Sequence, residues 1–346
     1  MDYQHVDVFA EGPFTGNSLT VFIADVGSPA TGQMLAITRE FRHFESIFLT
    51  PTAAEHRWRA RVFDLMEELD FAGHPVLGAA SVLHDRAGGS RPRDWVIELP
   101  AKTVTARTTR SGATFRATLD QGRPEFGPQL SAAAAAPILG GIGLRAADLV
   151  PGLPPAVVST GLTYVVIPVS APALARAAIT AADFSSRLAA VGAQYAYLLD
   201  PDGMEGRHWA NDGSTEDVAT GSAAGTVGAY LARAGRAEMN RQFVLHQGRF
   251  TGRPSRLLVE PRGRADDVES VLVGGSVAPV ATGTLRETAW PGSVNPPVRG
   301  VLQGGQGHAA PVDQSGRRDY AGDHGQRAGR PRGNAAHRDG NPAAGA

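Results

Sequence analysis

The 346-residue sequence contains no cysteine, and among its 33 basic residues only Lys102 is a lysine. The absence of cysteine excludes disulfides, thiolate zinc sites and any cysteine nucleophile or cysteine acid–base pair. It is compatible with the cytoplasmic location that we expect for this protein. The single lysine lies outside any Gly-Lys-Ser/Thr phosphate loop and lacks the sequence context of a Schiff-base lysine.

A strong charge excess and long apolar runs are also missing. The formal net charge is −1 and 42% of the residues are hydrophobic, which indicates a soluble globular protein. The sequence has no excess of basic residues, which would be the sign of a nucleic-acid or anionic-membrane partner. No run approaches the roughly 20 apolar residues of a membrane span, and "MDYQHVDVFAEGPF" lacks the features of a signal peptide. We therefore expect neither nucleic acid nor membrane as a partner.

The chain organisation predicts an α+β protein of two similar halves. "YQHVDVF" and "HRWRARVF" in the first half alternate like strands, as do "TYVVIPV" and "YAYLLD" in the second. Each half also contains a helix that follows a glycine-containing corner. We predict domains at residues 1–125 and 126–285, arranged as a pseudo-repeat. Residues 286–346 are dominated by Gly, Pro, Arg and Ala, and we predict a disordered tail there.

The first corner lies in "ELDFAGHPVLGAA", where Gly73 and His74 precede a helix predicted to begin at Pro75. A proline is tolerated at the first helical position because its missing N–H needs no partner there. The free N–H groups of a helix start form an anion site, to which His74 could add a proton donor. These residues alone favour the simpler interpretation that His74 caps the helix.

The second corner lies in "STEDVATGSAAGTVGAYLARAG", with Thr220, Gly221 and Ser222 in the equivalent place. We predict that the helix begins near Ala223, with Ser222 as its N-cap residue. Asp217 lies five residues before that serine. An ordinary capped helix accounts for the serine and the acids. It does not explain why both halves contain a glycine-containing corner followed by a helix.

A third candidate is Glu45 in "RHFESIFL", between a predicted helix ending near Phe44 and a strand beginning at Ser46. Partial desolvation would raise the pKa of this carboxyl towards the range of a general acid or base. A solvated glutamate at a helix end is the simpler interpretation, and these residues alone favour it.

Metal and nucleotide sites are not predicted. The ten histidines show neither paired helical spacing nor Cys/His spacing, so we expect no metal. "GGIGLRA" fits a loose dinucleotide pattern, but no clear strand precedes it and no acid stands about 20 residues further on. We therefore expect no cofactor.

Taken together, "FTGNS", "ESIFL", "ELDFAGHPVLGAA", "EDVATGSAAG" and "HQGRFTGRPS" give the sequence a specific resemblance. It resembles the PhzF family of phenazine-biosynthesis-like isomerases, over roughly residues 1–285. The family is related in fold to diaminopimelate epimerase and proline racemase. The resemblance implies two epimerase-like domains, each a mostly antiparallel sheet wrapped round a central helix, with the active site in the cleft between them. It also implies a possible homodimer.

The resemblance assigns a role to each candidate residue. Glu45 would be the acid/base that removes a proton from one substrate carbon and returns it at another. The remaining catalytic candidates are Asp217 and His74, and the substrate-binding candidates are Gly73, Thr220, Gly221, Ser222 and Asn17. Members of the family usually have the sequence Gly-Asn-Pro where this chain has Gly16, Asn17 and Ser18. The serine in place of proline bears on the identity of the substrate rather than on the reaction class.

The predicted function is that of a cofactor-independent isomerase that shifts a proton on a small carboxylated metabolite, anthranilate-like or amino-acid-like. One alternative is an amino-acid racemase or epimerase that uses Glu45 and Asp217 as opposed acid and base. The other is a non-catalytic protein that binds a small ligand on the same fold.

Overall fold

The computed structural model describes residues 1–24, 29–264 and 266–286, which all fall within one unit of the chain. Sixteen strands and six α-helices make up this part. The strands are β1 (Asp2–Val8), β2 (Asn17–Ile23), β3 (Glu45–Pro51), β4 (Arg57–Asp64), β5 (Glu68–Leu69), β6 (Arg93–Glu98), β7 (Thr103–Ser111), β8 (Thr114–Asp120), β9 (Glu125–Gln129), β10 (Ala156–Ser159), β11 (Thr163–Pro168), β12 (Tyr195–Asp200), β13 (Glu205–Arg207), β14 (Phe243–Gln247), β15 (Ser255–Arg264) and β16 (Asp267–Thr284). The helices are α1 (Thr31–Phe41), α2 (Gly73–Ala87), α3 (Ala132–Gly141), α4 (Ala171–Arg176), α5 (Phe184–Ala189) and α6 (Gly221–Arg233).

Eight of the strands close into a ring round α2. They follow the order β1-β2-β3-β4-β6-β7-β8-β16, and β16 pairs in turn with β1. Helix α2 packs against strands on all sides of this ring and buries every residue from His74 to His84. A helix enclosed in this way needs apolar or small residues on its whole circumference, which explains the composition of "PVLGAASVL".

The sheet continues from the ring through the second half of the chain. Beyond β16 the order is β15-β14-β13-β12-β11-β10-β9, and α6 packs against β10, β11, β15 and β16. Most pairings are antiparallel, in agreement with the predicted α+β class with helices packed on a mainly antiparallel sheet. Because the long β16 pairs with β8 and β1 as well as β15, hydrogen bonding is continuous across the halves. The division at residues 125 and 126 and the pseudo-repeat stay predictions.

The two corner helices begin earlier than the sequence predicted. Helix α2 begins at Gly73 with Ala72 as N-cap, so Pro75 is its third residue and not its first. Helix α6 begins at Gly221 with Thr220 as N-cap. The prediction of Ser222 as the cap was therefore wrong, because this serine lies inside the first helical turn.

Two further predictions concern the chain ends and the membrane. The predicted tail at residues 286–346 lies, apart from its first residue, outside the described residues. Within the described ranges, none of the helices combines the length and the apolar character needed to cross a membrane.

Candidate active site

The N-termini of α2 and α6 lie against each other. A Cβ atom built on Gly221 would lie 4.0 Å from the backbone nitrogen of His74 and 3.3 Å from the ring of Phe9. Gln121, 8% exposed, donates from Nε2 to the carbonyl of Gly221 at 3.0 Å, and its Oε1 accepts from Thr160 Oγ1 at 3.0 Å. The start of α6 thus lies within van der Waals distance of the start of α2, and Gln121 links it to Thr160.

Neither of these helix starts has a side-chain cap in the described part of the chain. Ala72 has no capping group, and the hydroxyl of Thr220 donates instead to Asp217 Oδ2 at 2.6 Å. The N–H groups of the first turn of a helix have no intrahelical acceptor and carry the positive end of the helix dipole. Two such ends pointing into one space form a place for a carboxylate.

Glu45 is the first residue of β3, where it pairs with Leu19 of β2 and Asp64 of β4. Its side chain is 21% exposed, and its buried Oε2 atom has no hydrogen-bond partner among the described residues. Burial, followed by the charges of Asp217 and Asp64, raises the pKa of Glu45 from 4.5 to about 8. This carboxyl therefore exchanges its proton near neutral pH, as a general acid or base must.

His74 is the second residue of α2, and its Nδ1 lies 3.3 Å from Glu45 Oε2. The side chain is almost fully buried, and burial lowers the pKa of His74 to about 4 although the charge of Asp217 acts in the opposite direction. Its Nε2 has no partner among the described residues. His74 is thus a neutral imidazole next to the proton-exchanging carboxyl, and it is not the helix cap.

Asp217 precedes the second helix and is held by three donors. Its Oδ1 accepts from Asn17 Nδ2 at 3.2 Å and from the N–H of Ala219 at 3.4 Å, while its Oδ2 accepts from Thr220. Gln247 also donates to its backbone carbonyl at 3.0 Å. These bonds fix the carboxylate, and its charge acts on the pKa values of both Glu45 and His74.

Asn17, the first residue of β2, connects the two halves of the site. It is 1% exposed, and its Nδ2 donates to Asp217 and to the carbonyl of Ala219 at 3.0 Å. Since both partners are acceptors, the orientation of the amide is determined. Its Oδ1 faces away from them and is buried without a partner among the described residues.

Ser222 faces a polar wall that the sequence did not predict. Its hydroxyl lies 2.8 Å from that of Tyr164, which is 2% exposed and whose pKa is raised by burial. The ring of His208 packs edge-on against Tyr164 at 5.5 Å, and its Nδ1–H donates to the carbonyl of Ala196 at 2.9 Å. This hydrogen bond leaves Nε2 of the neutral His208 as an acceptor.

Sequence reasoning also missed Gln121 and Gln247. His208 and Gln247 lie in "RHWAN" and "HQGRFTGRPS", so motif spacing could have found them. Tyr164 and Gln121 lie in segments without a motif, and only the folded chain places them here. Within the described ranges no group of three or more His, Asp or Glu side chains is placed to hold a metal.

Comparison with known proteins identifies the family. The family model described as phenazine biosynthesis-like protein matches residues 6–283. The trans-2,3-dihydro-3-hydroxyanthranilate isomerase of Pseudomonas chlororaphis is 30% identical over 290 residues, which cover 82% of this chain and 98% of the relative. The solved structure of a predicted epimerase from Pseudomonas aeruginosa is 49% identical with a TM-score of 0.77, covering 83% of this chain and 99% of that one.

A more distant likeness concerns the fold alone. The structure of a probable proline racemase from Agrobacterium radiobacter has a TM-score of 0.51 at 13% identity, covering 84% of this chain and 94% of that chain. This agrees with the epimerase-like fold that the resemblance implied. The chain belongs to the phenazine biosynthesis-like (PhzF) family, and it is an isomerase of the PhzF type.

Proposed function

We propose that the protein shifts a proton between two carbons of a small carboxylated metabolite, with Glu45 as the single proton carrier. The observation that carries the proposal is the burial and the raised pKa of this side chain. Its Oε2 is buried without a hydrogen-bond partner among the described residues, and its pKa is raised to about 8. An unpartnered carboxyl near its pKa at neutral pH suits both removal and return of a proton.

The two helix starts are proposed to hold the substrate carboxylate. Their first-turn N–H groups meet where Gly221 approaches His74, and no side chain of the described residues caps them. An anion bound there lies beside Glu45, His74 and the hydroxyl of Ser222. Asp217, fixed by Asn17 and Thr220, is then positioned to hold an amino or hydroxyl group of the substrate.

The proton path needs only groups present in the chain. Ionised Glu45 takes a proton from a substrate carbon as that C–H bond breaks, and the electron pair moves into the conjugated system of the substrate. The protonated carboxyl then returns the proton at another carbon, where a new C–H bond forms and the double bond has moved. The neutral imidazole of His74 lies 3.3 Å from the carboxyl, close enough to accept a hydrogen bond from its protonated form.

A second candidate function is epimerisation, because the Pseudomonas aeruginosa protein that is 49% identical to this chain is described as a predicted epimerase. An epimerase of this kind would use Glu45 and Asp217 as opposed acid and base. Three donors already occupy the carboxylate oxygens of Asp217, whereas Oε2 of Glu45 has none among the described residues. This asymmetry favours one proton carrier over two.

Incubation in D₂O with trans-2,3-dihydro-3-hydroxyanthranilate as the probe tests the proposal. An isomerase changes the ultraviolet spectrum as the double bond moves, whereas an epimerase places deuterium at a stereocentre without a spectral change. We expect Glu45→Gln to lower kcat by about 10²–10⁴-fold. Glu40→Gln, on the exposed face of α1, is the matched control and should retain full activity.

Two results would contradict the proposal. Full activity of a folded Glu45→Gln protein would show that another group carries the proton. Binding of the probe by the wild-type protein with neither spectral change nor deuterium uptake would favour the non-catalytic alternative.

A further inference from the structure

A cavity of about 330 Å³ lies beside the proposed proton-transfer site. It is lined by His5, Asp7, Phe14, Asn17, Ser18, Arg42, His43, Phe44, Val218, Arg253 and Val280. Asn17 is the wall common to both places, since it lines the cavity while its Nδ2 donates to Asp217 at 3.2 Å. The Oδ1 of the same amide is buried without a partner among the described residues. A ligand in the cavity would therefore contact the residue that positions Asp217.

The cavity carries one uncompensated positive charge. Asp7, 1% exposed, is neutralised by Arg253, whose Nη2 lies 2.7 Å from Oδ1, and it accepts from the N–H of Phe14 at 2.7 Å. Arg253 is further held by the carbonyl of Gly16 at 2.8 Å. The exposed Arg42, in contrast, has no side-chain partner among the described residues, and its φ of 55° at the C-cap of α1 directs the chain sharply away from the helix. The site is therefore suited to an anion.

The same cavity presents exposed aromatic surface. Four large apolar side chains are exposed in the described ranges, and two of them, Phe14 at 74% and Phe44 at 41%, line this cavity. Val218 and Val280 complete its apolar wall. Exposed apolar side chains that gather at one concave place, next to a few polar groups, are typical of a small-molecule site.

The polar wall is organised by a residue that differs from the usual family pattern. The hydroxyl of Ser18 lies 2.8 Å from His5 Nε2 and 2.9 Å from His43 Nδ1. Where the hydroxyl donates its one proton to one imidazole, it accepts from an N–H of the other, so the two rings then carry their protons on the same-named nitrogen. Burial lowers the pKa of His5, and burial followed by the charge of His5 lowers that of His43 to about 4. Both rings are neutral at neutral pH, so the positive charge that remains is that of Arg42.

We propose that this cavity binds an aromatic carboxylate arm of the substrate, remote from the transferred proton. The anion pairs with Arg42, the ring packs on Phe14 and Phe44, and Asn17 separates the arm from the proton-transfer site. The identity of the occupant as a substrate arm rests on the proposed function, whereas the existence of the site does not.

Benzoate is the probe for this site, and the full-length Glu45→Gln protein is the background because we expect it to turn over substrate about 10²–10⁴-fold more slowly. Proton NMR of the imidazole resonances follows the titration, first alone and then with saturating trans-2,3-dihydro-3-hydroxyanthranilate in the catalytic site. We expect benzoate to shift His5 and His43 in both titrations. Adding Arg42→Gln should weaken benzoate binding about tenfold, equivalent to about 1.4 kcal/mol. Arg107→Gln, which removes an exposed arginine on β7, is the matched control and should bind benzoate unchanged.

The outcomes separate this proposal from the proposed function. Benzoate that shifts only His74 and His208, or that is displaced by the dihydro-hydroxyanthranilate, would overturn the separate site. Equal affinity in the Arg42→Gln protein would overturn the assigned anion contact. The wild-type protein could also bind benzoate normally and yet exchange no substrate proton. This result would support the existence of the site but refute its assignment to a substrate arm.

Discussion

Oε2 of Glu45 lies 3.3 Å from Nδ1 of His74, and burial shifts the pKa values of these two groups in opposite directions. Burial first, and then neighbouring acids, raises the pKa of Glu45 to about 8, while burial lowers that of His74. Both groups are therefore uncharged at neutral pH, because an ion is poorly solvated in this place. The pair holds one mobile proton, on the carboxyl, next to a neutral imidazole that can accept a hydrogen bond from it.

The first prediction concerns the pH dependence of catalysis. If ionised Glu45 removes the substrate proton, kcat/KM should rise about tenfold per pH unit and level off near the pKa of about 8. Asp217→Asn removes a charge that raises this pKa, so the midpoint of its residual activity should move to lower pH. Asp212→Asn, an exposed acid nearby in the chain, should leave the midpoint unchanged. A wild-type midpoint near 4.5 would contradict the assignment.

The second prediction concerns stability. Since folding raises the pKa of Glu45 from 4.5 to about 8, its contribution to stability is full below pH 4.5 and is lost as the pH rises through 8. Glu45→Gln removes this loss. The variant should gain stability relative to wild type across that range, by at most about 5 kcal/mol at pH 9. Urea unfolding from pH 5 to 9 measures the difference, and a difference that does not grow with pH would refute the raised pKa.

The third prediction concerns the hydrogen bond that Gln121 makes to the start of α6. Gln121→Ala removes the hydrogen bond to the carbonyl of Gly221 and the one from the hydroxyl of Thr160, which should together cost about 1–3 kcal/mol of stability. The helix N-termini should also lose their alignment, so kcat/KM should fall while the protein stays folded. Gln129→Ala, on the exposed face of β9, is the control. Unchanged kinetics in the Gln121 variant would show that the alignment does not depend on this side chain.

The fourth prediction concerns the buried ion pair next to the active-site segment. Arg207, 7% exposed, donates to Glu216 at 2.8 and 2.7 Å and to the carbonyl of Leu174 at 2.7 Å. Arg207→Met leaves the largely buried Glu216 unpaired and should cost about 3–5 kcal/mol in thermal or urea unfolding. Arg241→Met breaks an exposed pair with Glu238 and should cost at most about 1 kcal/mol.

A second substitution separates charge from packing in that pair. Adding Glu216→Gln to Arg207→Met should recover part of the loss, because a buried amide costs less than an unpaired carboxylate. No recovery in the double variant would mean that the contacts of the arginine with backbone carbonyls, rather than the pair, stabilise this segment.

The amino-acid sequence alone determined the fold class and the identity of the segments that carry Glu45, His74 and Asp217. Strand alternation in "YQHVDVF" and "HRWRARVF" matches β1 and β4, whereas the helix predicted to end near Phe44 is α1, which ends at Phe41. These patterns are local, because a strand or an amphipathic helix records its buried face within a few residues. The segments around Glu45, His74 and Asp217 were found through motif order, and the structure brings them to one place.

The tertiary structure alone decided what those residues can do. The sequence round Glu45 favoured a solvated glutamate. Burial in the folded chain, followed by the charges of Asp217 and Asp64, raises the pKa of this carboxyl. Ser222 had the chemistry of an N-cap, but a hydroxyl from Tyr164, 58 residues away, engages it within the helix. Desolvation, charge and hydrogen-bond competition depend on neighbours in space, and the sequence places those neighbours only through the fold.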